Sequence, residues 1–523
     1  MFCDVVHLYY LCKELYNLEK VKKGTRTLVL VAAFVLLASL ISSCGNRSKK
    51  DFNRLLVELA ADDGVIDGDD WHRISDYLDS QKTHFSEFYD GEAIDIAKVK
   101  SYVNDMFARR RPAKEIQFIG VGADGDIDVS FYLERSGSMI GYDSPDGDGS
   151  FKQAIVKMLN SLPGNNDDYK IYVVNDGVNE YPEGVSKFLA DNNIFGATKG
   201  IGDASYTDFG AIFRQLIDKT KQNELAILVT DMIYSTRDMA GINAQKVFAE
   251  AQGMTNAVFK GKVKDMGMLI VKMNSTFSGM YYPYNSPKGG KQWRGRRPYY
   301  FVVVGSNSCF ERLQKDKHFA PFVAFDKLRG YENLYLFSGD GVYDPYFTFM
   351  LSGRDLRGRF EPERGQGEQI KNLKNIKPDR DSGDLRLHLA VDLSGMFVDE
   401  SYATDPKNYV VSSDDDIKIE EIRRIDPKEV SPAARKYVGS ATHIFVLKGK
   451  EVSHEQELSI KLLNRLPLWV EASSSDDDTT VGGSGFADTT FGLKYLLQGI
   501  YDSYKRLSEG EPYYFEMKMK LKN

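Results

Sequence analysis

The feature that most constrains this chain is an alternation running from residue 115 to 325. DIDVSFYLE, YKIYVVND, LAILVTDM, GMLIVKMN and PYYFVVVGS are apolar runs rich in β-branched residues, the pattern of strands buried on both faces of a sheet. Between them, FKQAIVKMLNSL, EGVSKFLADN, TDFGAIFRQLIDKTKQ and AQKVFAEAQGMTNAVFKGKV carry apolar residues at helical spacing. Strand and helix alternating in this way predict an α/β fold: a doubly wound, mainly parallel sheet.

The whole chain of 523 residues is too long for one ordinary core, so several domains are expected. Residues 51–114 read as a helical segment, with DFNRLLVELA, DDWHRISDYLDSQ and IAKVKSYVNDMFARRR ending before Pro112. The turn ADDGVIDGDDW resembles the second half of an EF-hand loop, with Asp63, Gly64, Ile66 and Asp70 in register. The first two ligand positions fall on Leu59 and Ala61, which offer no side-chain oxygen. Residues 326–384 read as an irregular linker, polar and rich in Gly, Arg and Asp from 350 onward. Residues 385–523 alternate at period two in LRLHLAVDLS, DIKIEEIRRI, THIFVLKG and ELSIKLLNRLPLWVEA, as half-buried antiparallel strands do. They predict a β-rich, sandwich-like domain with one helix in TTFGLKYLLQGIYDSYKRL and a closing strand in YYFEMKMKLK.

A targeting signal lies in KVKKGTRTLVLVAAFVLLASLISSC. Lys20, Lys22, Lys23 and Arg26 are followed by the apolar run Leu28 to Ile41, a length that suits a signal-peptide core and falls short of the roughly 20 residues of a membrane span. Ile41-Ser42-Ser43-Cys44 resembles the bacterial lipobox, which implies a signal peptide over 1–43, lipidation of Cys44 and a polar tether over 44–50. Residues 1–20 add Asp4, Glu14 and Glu19 to what should be a short basic region, which points to a translation start at Val21. Maturation would leave Cys44 and Cys309 as the only cysteines, excluding an intrachain disulfide once Cys44 is lipidated. The expectation is a lipid-anchored protein of the bacterial cell envelope. The absence of an acidic tag after Cys44 favours the periplasmic face.

In an open α/β sheet, ligands bind at the carboxyl ends of the strands. Three stretches meet there if the middle region folds as read: Glu134, Ser136 and Ser138 after the first strand, Thr207 opening a helix, and Asp231 at the tip of LAILVTDM. Order and spacing resemble the metal-ion-dependent adhesion site of von Willebrand factor type A domains, over residues 120 to 320. The resemblance implies bound Mg2+ or Mn2+. Those ions take hard oxygens, and Ser136 and Ser138 would offer hydroxyls, Thr207 a third hydroxyl or a held water, and Asp231 a carboxylate. Neutral hydroxyls leave the cation under-neutralised, so the implied partner is a protein that offers an acidic residue. Glu134 stands where the family has Asp. Its extra methylene makes it either bind the ion directly or swing away, and Met232 crowds the rim where many family members have Gly. Asp208 reads as a helix N-terminal charge. The similar AVDLSGMF has Asp392 and Ser394 but Met396 in place of the second hydroxyl, and reads as a decoy.

The insert SGMYYPYNSPKGGKQWRGRRPYY interleaves aromatic and basic residues, reading either as a solvated hairpin extension or as a partner contact through Tyr282, Trp293, Arg294, Arg296 and Arg297. A net charge of −7 gives no electrostatic footprint for nucleic acid. No HExxH, GxSxG or GxxxxGK[ST] motif occurs. The runs Asp414 to Asp416 and Asp476 to Asp478 read as solvated loops. The expected function is therefore partner binding or scaffolding, not catalysis. The alternatives are a structural lipoprotein whose site has lost its metal, or a metal-dependent hydrolase at the same rim. The hydrolase would need a general base, for which only Glu134 or Asp208 is at hand.

Overall fold

The computed structural model describes residues 47–523 apart from 61–63, 67, 92, 111–115, 119–126, 165–168, 220–223, 235–240, 287–288, 368, 429 and 431–433. Cys44 and the expected signal peptide lie outside the described residues, as does Asp63 of the EF-hand-like turn. Among the described residues no helix is long and apolar enough to cross a membrane.

The chain divides into two compact units, Met1–Gly122 and Ala123–Asn523. In the first, helices α1 (47–59), α2 (Gly68–Ser80) and α3 (Ile96–Ala108) enclose Phe52, Leu56, Ile74, Phe85, Val99 and Val103. Asp95 caps α3 by accepting from Lys98 N, which satisfies one of the free amides of the first turn. Leu59, at the first EF-hand ligand position, packs into this core.

The second unit is mixed α/β. Its largest sheet has strands β1 (Asp128–Glu134), β2 (Lys170–Val174), β3 (Val178–Glu180), β4 (Glu224–Thr230), β5 (Met266–Tyr281), β6 (Lys291–Ser306) and β7 (Tyr331–Phe337). Their order is β7-β5-β6-β4-β1-β2-β3. Helices α4 (Ser150–Asn160), α5 (Gly184–Ala190), α6 (Phe209–Lys219) and α7 (Ala244–Phe259) fall between strands where the apolar spacing predicts them. The expectation of a mainly parallel sheet is corrected: β1 pairs in parallel with β2 and β4, and the other four pairings are antiparallel. A buried central strand is apolar on both faces whichever way its neighbour runs, so sequence pattern does not report direction. The β5–β6 turn, 282–290, is too short for a crossover and makes the pair antiparallel.

The irregular linker expected over 326–384 is also corrected. It holds β7, β8 (Phe347–Phe349), β9 (Arg359–Pro362) and β10 (Asn372–Lys377). β9 is an edge strand, where charged side chains and Pro362 keep the open edge from pairing further, and that polarity hides it in the sequence. Beyond it come β11 (Leu385–Val391), β12 (Tyr409–Ser412), β13 (Lys418–Arg424), β14 (His443–Gly449), β15 (Gln456–Leu463), helix α8 (Leu493–Lys505) and β16 (Tyr513–Leu521). They form two sheets, β8-β11-β14-β13 and β9-β10-β16-β15-β12. Residue 384 is no break in packing, because one apolar core runs from Ile127 to Leu521. Helix α8 lies close on α7: Thr255 Oγ1 donates to Leu496 O at 3.0 Å, and a Cβ on Gly499 would meet Thr255 Oγ1 at 2.1 Å.

Candidate functional site

Strands β1, β2 and β4 run parallel, so their carboxyl ends share one edge of the sheet. Glu134 ends β1, Asp231 follows β4, and Thr207 precedes α6. Glu134 and Asp231 are each 1% exposed and Thr207 is 2%; Ser136 is buried and Ser138 half-buried.

Hydroxyls organise the pocket. Thr207 Oγ1 donates to Glu134 Oε1 at 2.6 Å, and Thr230 Oγ1 donates to Oε2. Thr230 also accepts from Met232 N at 2.8 Å. Met232 has φ 57°, the left-handed region that costs a non-glycine residue roughly 1–2 kcal/mol. Ser136 and Ser138 hydroxyls share a hydrogen bond at 3.0 Å. Asp231 Oδ1 accepts from Ile233 N at 3.0 Å, but Oδ2 is buried with no hydrogen-bond partner.

Burial raises the pKa of Glu134, and the neighbouring Asp231 charge raises it further, against the lowering effect of the Thr207, Thr230 and Ser136 hydroxyls. Burial also raises Asp231, opposed by the Ser138 hydroxyl, the Ile233 amide and the Arg297 guanidinium. Two carboxylates facing each other in low dielectric do not both ionise freely.

The basic-aromatic insert is a hairpin extension with a solvated side, where Lys291, Arg294 and Arg296 are exposed, and a packed side, where Arg297 is buried. Tyr300 of β6 pairs with Thr230, the last residue of β4, so the preceding part of β6, with its β5 partner, projects beyond the carboxyl edge. The arm folds over the 135–143 loop: Phe277 packs on Tyr142 with ring centroids 5.1 Å apart, and the Tyr282 ring lies against Gly137. A Cβ on Gly279 would come within 2.8 Å of Gly141 Cα. Period-two alternation turns Trp293, Gly295 and Arg297 to one face of β6 and Arg294 and Arg296 to the other.

Arg297 is therefore corrected from partner contact to buried cation. It is 2% exposed, donates to Phe486 O, and stacks over the rings of Tyr281 and Phe486 at 4.8 and 4.3 Å. Trp293 is half-buried against Phe486. Arg294 is exposed beside Asp146 at 3.6 Å, and Arg296 Nε donates to Asn274 Oδ1 at 3.1 Å. Tyr282 is half-buried. A strap from the C-terminal region locks the arm: Asp478 accepts from Tyr281 Oη at 2.7 Å and Tyr284 N at 3.1 Å, so this acidic run is not simply a solvated loop. Thr230, Arg297 and Asp478 are the members that sequence reading leaves out of the site. Thr230 is adjacent to Asp231, and the period-two count places Arg297, whereas nothing local marks Asp478.

Asp208, read as a helix N-terminal charge, accepts from Ala211 N at 2.9 Å through Oδ1 and so caps α6. Asp392 accepts from its own Ser394 at 2.6 Å, a local turn.

The fit to a divalent cation rests on Asp231 Oδ2 and the two serine hydroxyls, three hard oxygens of the type Mg2+ takes. Glu134 and Thr207 are committed to each other behind them. Among the described residues no group of three or more His, Cys, Asp or Glu could hold a metal ion, so binding at this edge depends on the hydroxyls. Comparison with protein-family models, with curated proteins and with solved structures finds no match.

Proposed function

We propose that this chain is a lipid-anchored protein of the bacterial envelope, with a region similar to von Willebrand factor type A domains that binds a protein partner through a divalent cation. Asp231, Ser136 and Ser138 would hold Mg2+ or Mn2+, with Glu134 and Thr207 as the layer that fixes the pocket. When bound, the ion would offer a coordination position to an acidic side chain of the partner. One observation carries the reading: Asp231 Oδ2 is buried without a hydrogen-bond partner on a carboxylate that the Ser138 hydroxyl, itself bonded to that of Ser136, acts on, and a buried carboxylate oxygen left bare is costly unless something binds it.

A second reading is supported by Arg297. Its buried guanidinium acts on Asp231, and that positive charge would make the ion dispensable and the site structural.

Thermal unfolding of the chain without its leader, in EDTA and then in Mg2+ or Mn2+, separates the two. An ion that binds only the native state at about 100 times its dissociation constant adds about 2.7 kcal/mol. A rise in melting temperature lost in Ser138→Ala and Asp231→Asn supports the metal reading, and no rise supports the second. Loss of fatty-acid labelling in Cys44→Ser tests the anchor separately.

A further inference from the structure

Away from the carboxylate pocket, an open groove of about 660 Å3 lies between residues 351–361 and β10. Leu351, Leu356 and Phe360 give it apolar surface, and Arg359, Lys377 and Asn375 give it polar surface. Arg359 and Lys377 are direct partners across the β9–β10 ladder, so their side chains stand next to each other on one face. Like charges in that position repel.

The neighbouring pairs show how this chain ordinarily settles such charges. One step along the ladder, Glu361 faces Lys374, 4.0 Å away. Arg357 opposes Arg386, but Arg357 lies 3.8 Å from Asp384 and Arg386 pairs with Glu420. Arg359 and Lys377 have no carboxylate within 4.0 Å among the described residues. Glu361 lines the same groove, yet its carboxylate is taken by Asn375 Nδ2 at 3.1 Å and by Lys374. The local backbone is also irregular. Asn375, a residue type tolerated in the left-handed region, has φ 53°, and the register shifts between Arg359 and Glu361. Like charges are thus set together on an irregular edge beside a groove, and such irregularities re-aim side chains.

We propose that this groove binds an oxyanion carried on a compact ring or chain. Arg359 and Lys377 take the anion, Arg359 in the forked geometry that suits carboxylate and phosphate alike. Leu351, Leu356 and Phe360 cover the body of the ligand. The site is independent of the metal reading, because it involves none of its residues.

The test is calorimetric titration of the full chain in detergent, with EDTA present throughout, using D-glucuronate, glucose 6-phosphate and uncharged glucose. At least one anion should bind ten-fold or more tighter than glucose and weaken as NaCl is raised, and the stronger of the two identifies carboxylate or phosphate as the group read. The double variant Arg359→Gln/Lys377→Gln should lose that preference. Without ligand, each single variant should melt at or above the wild-type temperature, since it removes a repulsion. Anions that bind no better than glucose, a double variant that keeps the preference, or single variants that melt lower would each overturn the proposal.

Discussion

The large unit carries two clusters of like charge, and they resolve the same problem in opposite ways. At the carboxyl edge of the seven-stranded sheet, Glu134 and Asp231 are both buried. In the groove, Arg359 and Lys377 are both exposed. Coulomb repulsion grows as the effective dielectric falls. The buried acids answer with raised pKa values, hydroxyl donors and, for Asp231, the Arg297 guanidinium, while the exposed bases have no carboxylate within 4.0 Å among the described residues. Burial, rather than charge count, decides whether such a pair is settled inside the protein or held open to solvent.

Removing the buried cation that acts on Asp231 should have the greatest consequence. Arg297→Met should destabilise the unit by about 3 kcal/mol or more, because Asp231 and Asp478 lose their buried positive charge; urea unfolding measures it, and adding Asp231→Asn should recover part of the loss. Equal stability in Arg297→Met would mean that the buried acids do not depend on this guanidinium. Next, Asp231→Asn alone should abolish the stabilisation by Mg2+, about 2.7 kcal/mol near 100 times the dissociation constant, while leaving the ion-free protein as stable as wild type or more so. Gly279→Ala forces a Cβ against Gly141 and should cost about 1–3 kcal/mol in the same unfolding experiment; an unchanged midpoint would mean that the arm does not press on the loop.

The pH dependence is clear in sign. A carboxyl whose pKa is raised by folding stays protonated in the native state after the unfolded chain has ionised. Its stabilising share is complete below the ordinary carboxylate range and is lost as pH rises toward the raised folded value. Wild type should lose stability over that window, and Glu134→Gln should flatten the slope; parallel slopes would remove Glu134 from the pair. The smallest effect belongs to the exposed cluster, where Lys377→Gln should raise ligand-free stability by about 0.2–1 kcal/mol at low salt, less at high salt.

Much of the fold was legible because burial writes a local pattern. Apolar runs of β1, β2 and β4 and the helical spacing of α4, α6 and α7 appear where strands and helices form. The site was legible where chemistry sits next to strand ends: Glu134, Ser136, Ser138, Thr207 and Asp231 gather at one edge. Strand direction was not, nor were the polar strands β9 and β10, whose side chains serve an edge and a groove.

Which short segments become strands and helices, and which oxygens end at the strand tips, follows from period and from neighbours in the chain. The burial of Arg297, the lock of Asp478 on the arm through Tyr281, and the bare oxygen of Asp231 come from long-range packing. A polar group inside a protein is settled by partners distant in sequence, here 197 residues apart for Tyr281 and Asp478, and no local pattern encodes them.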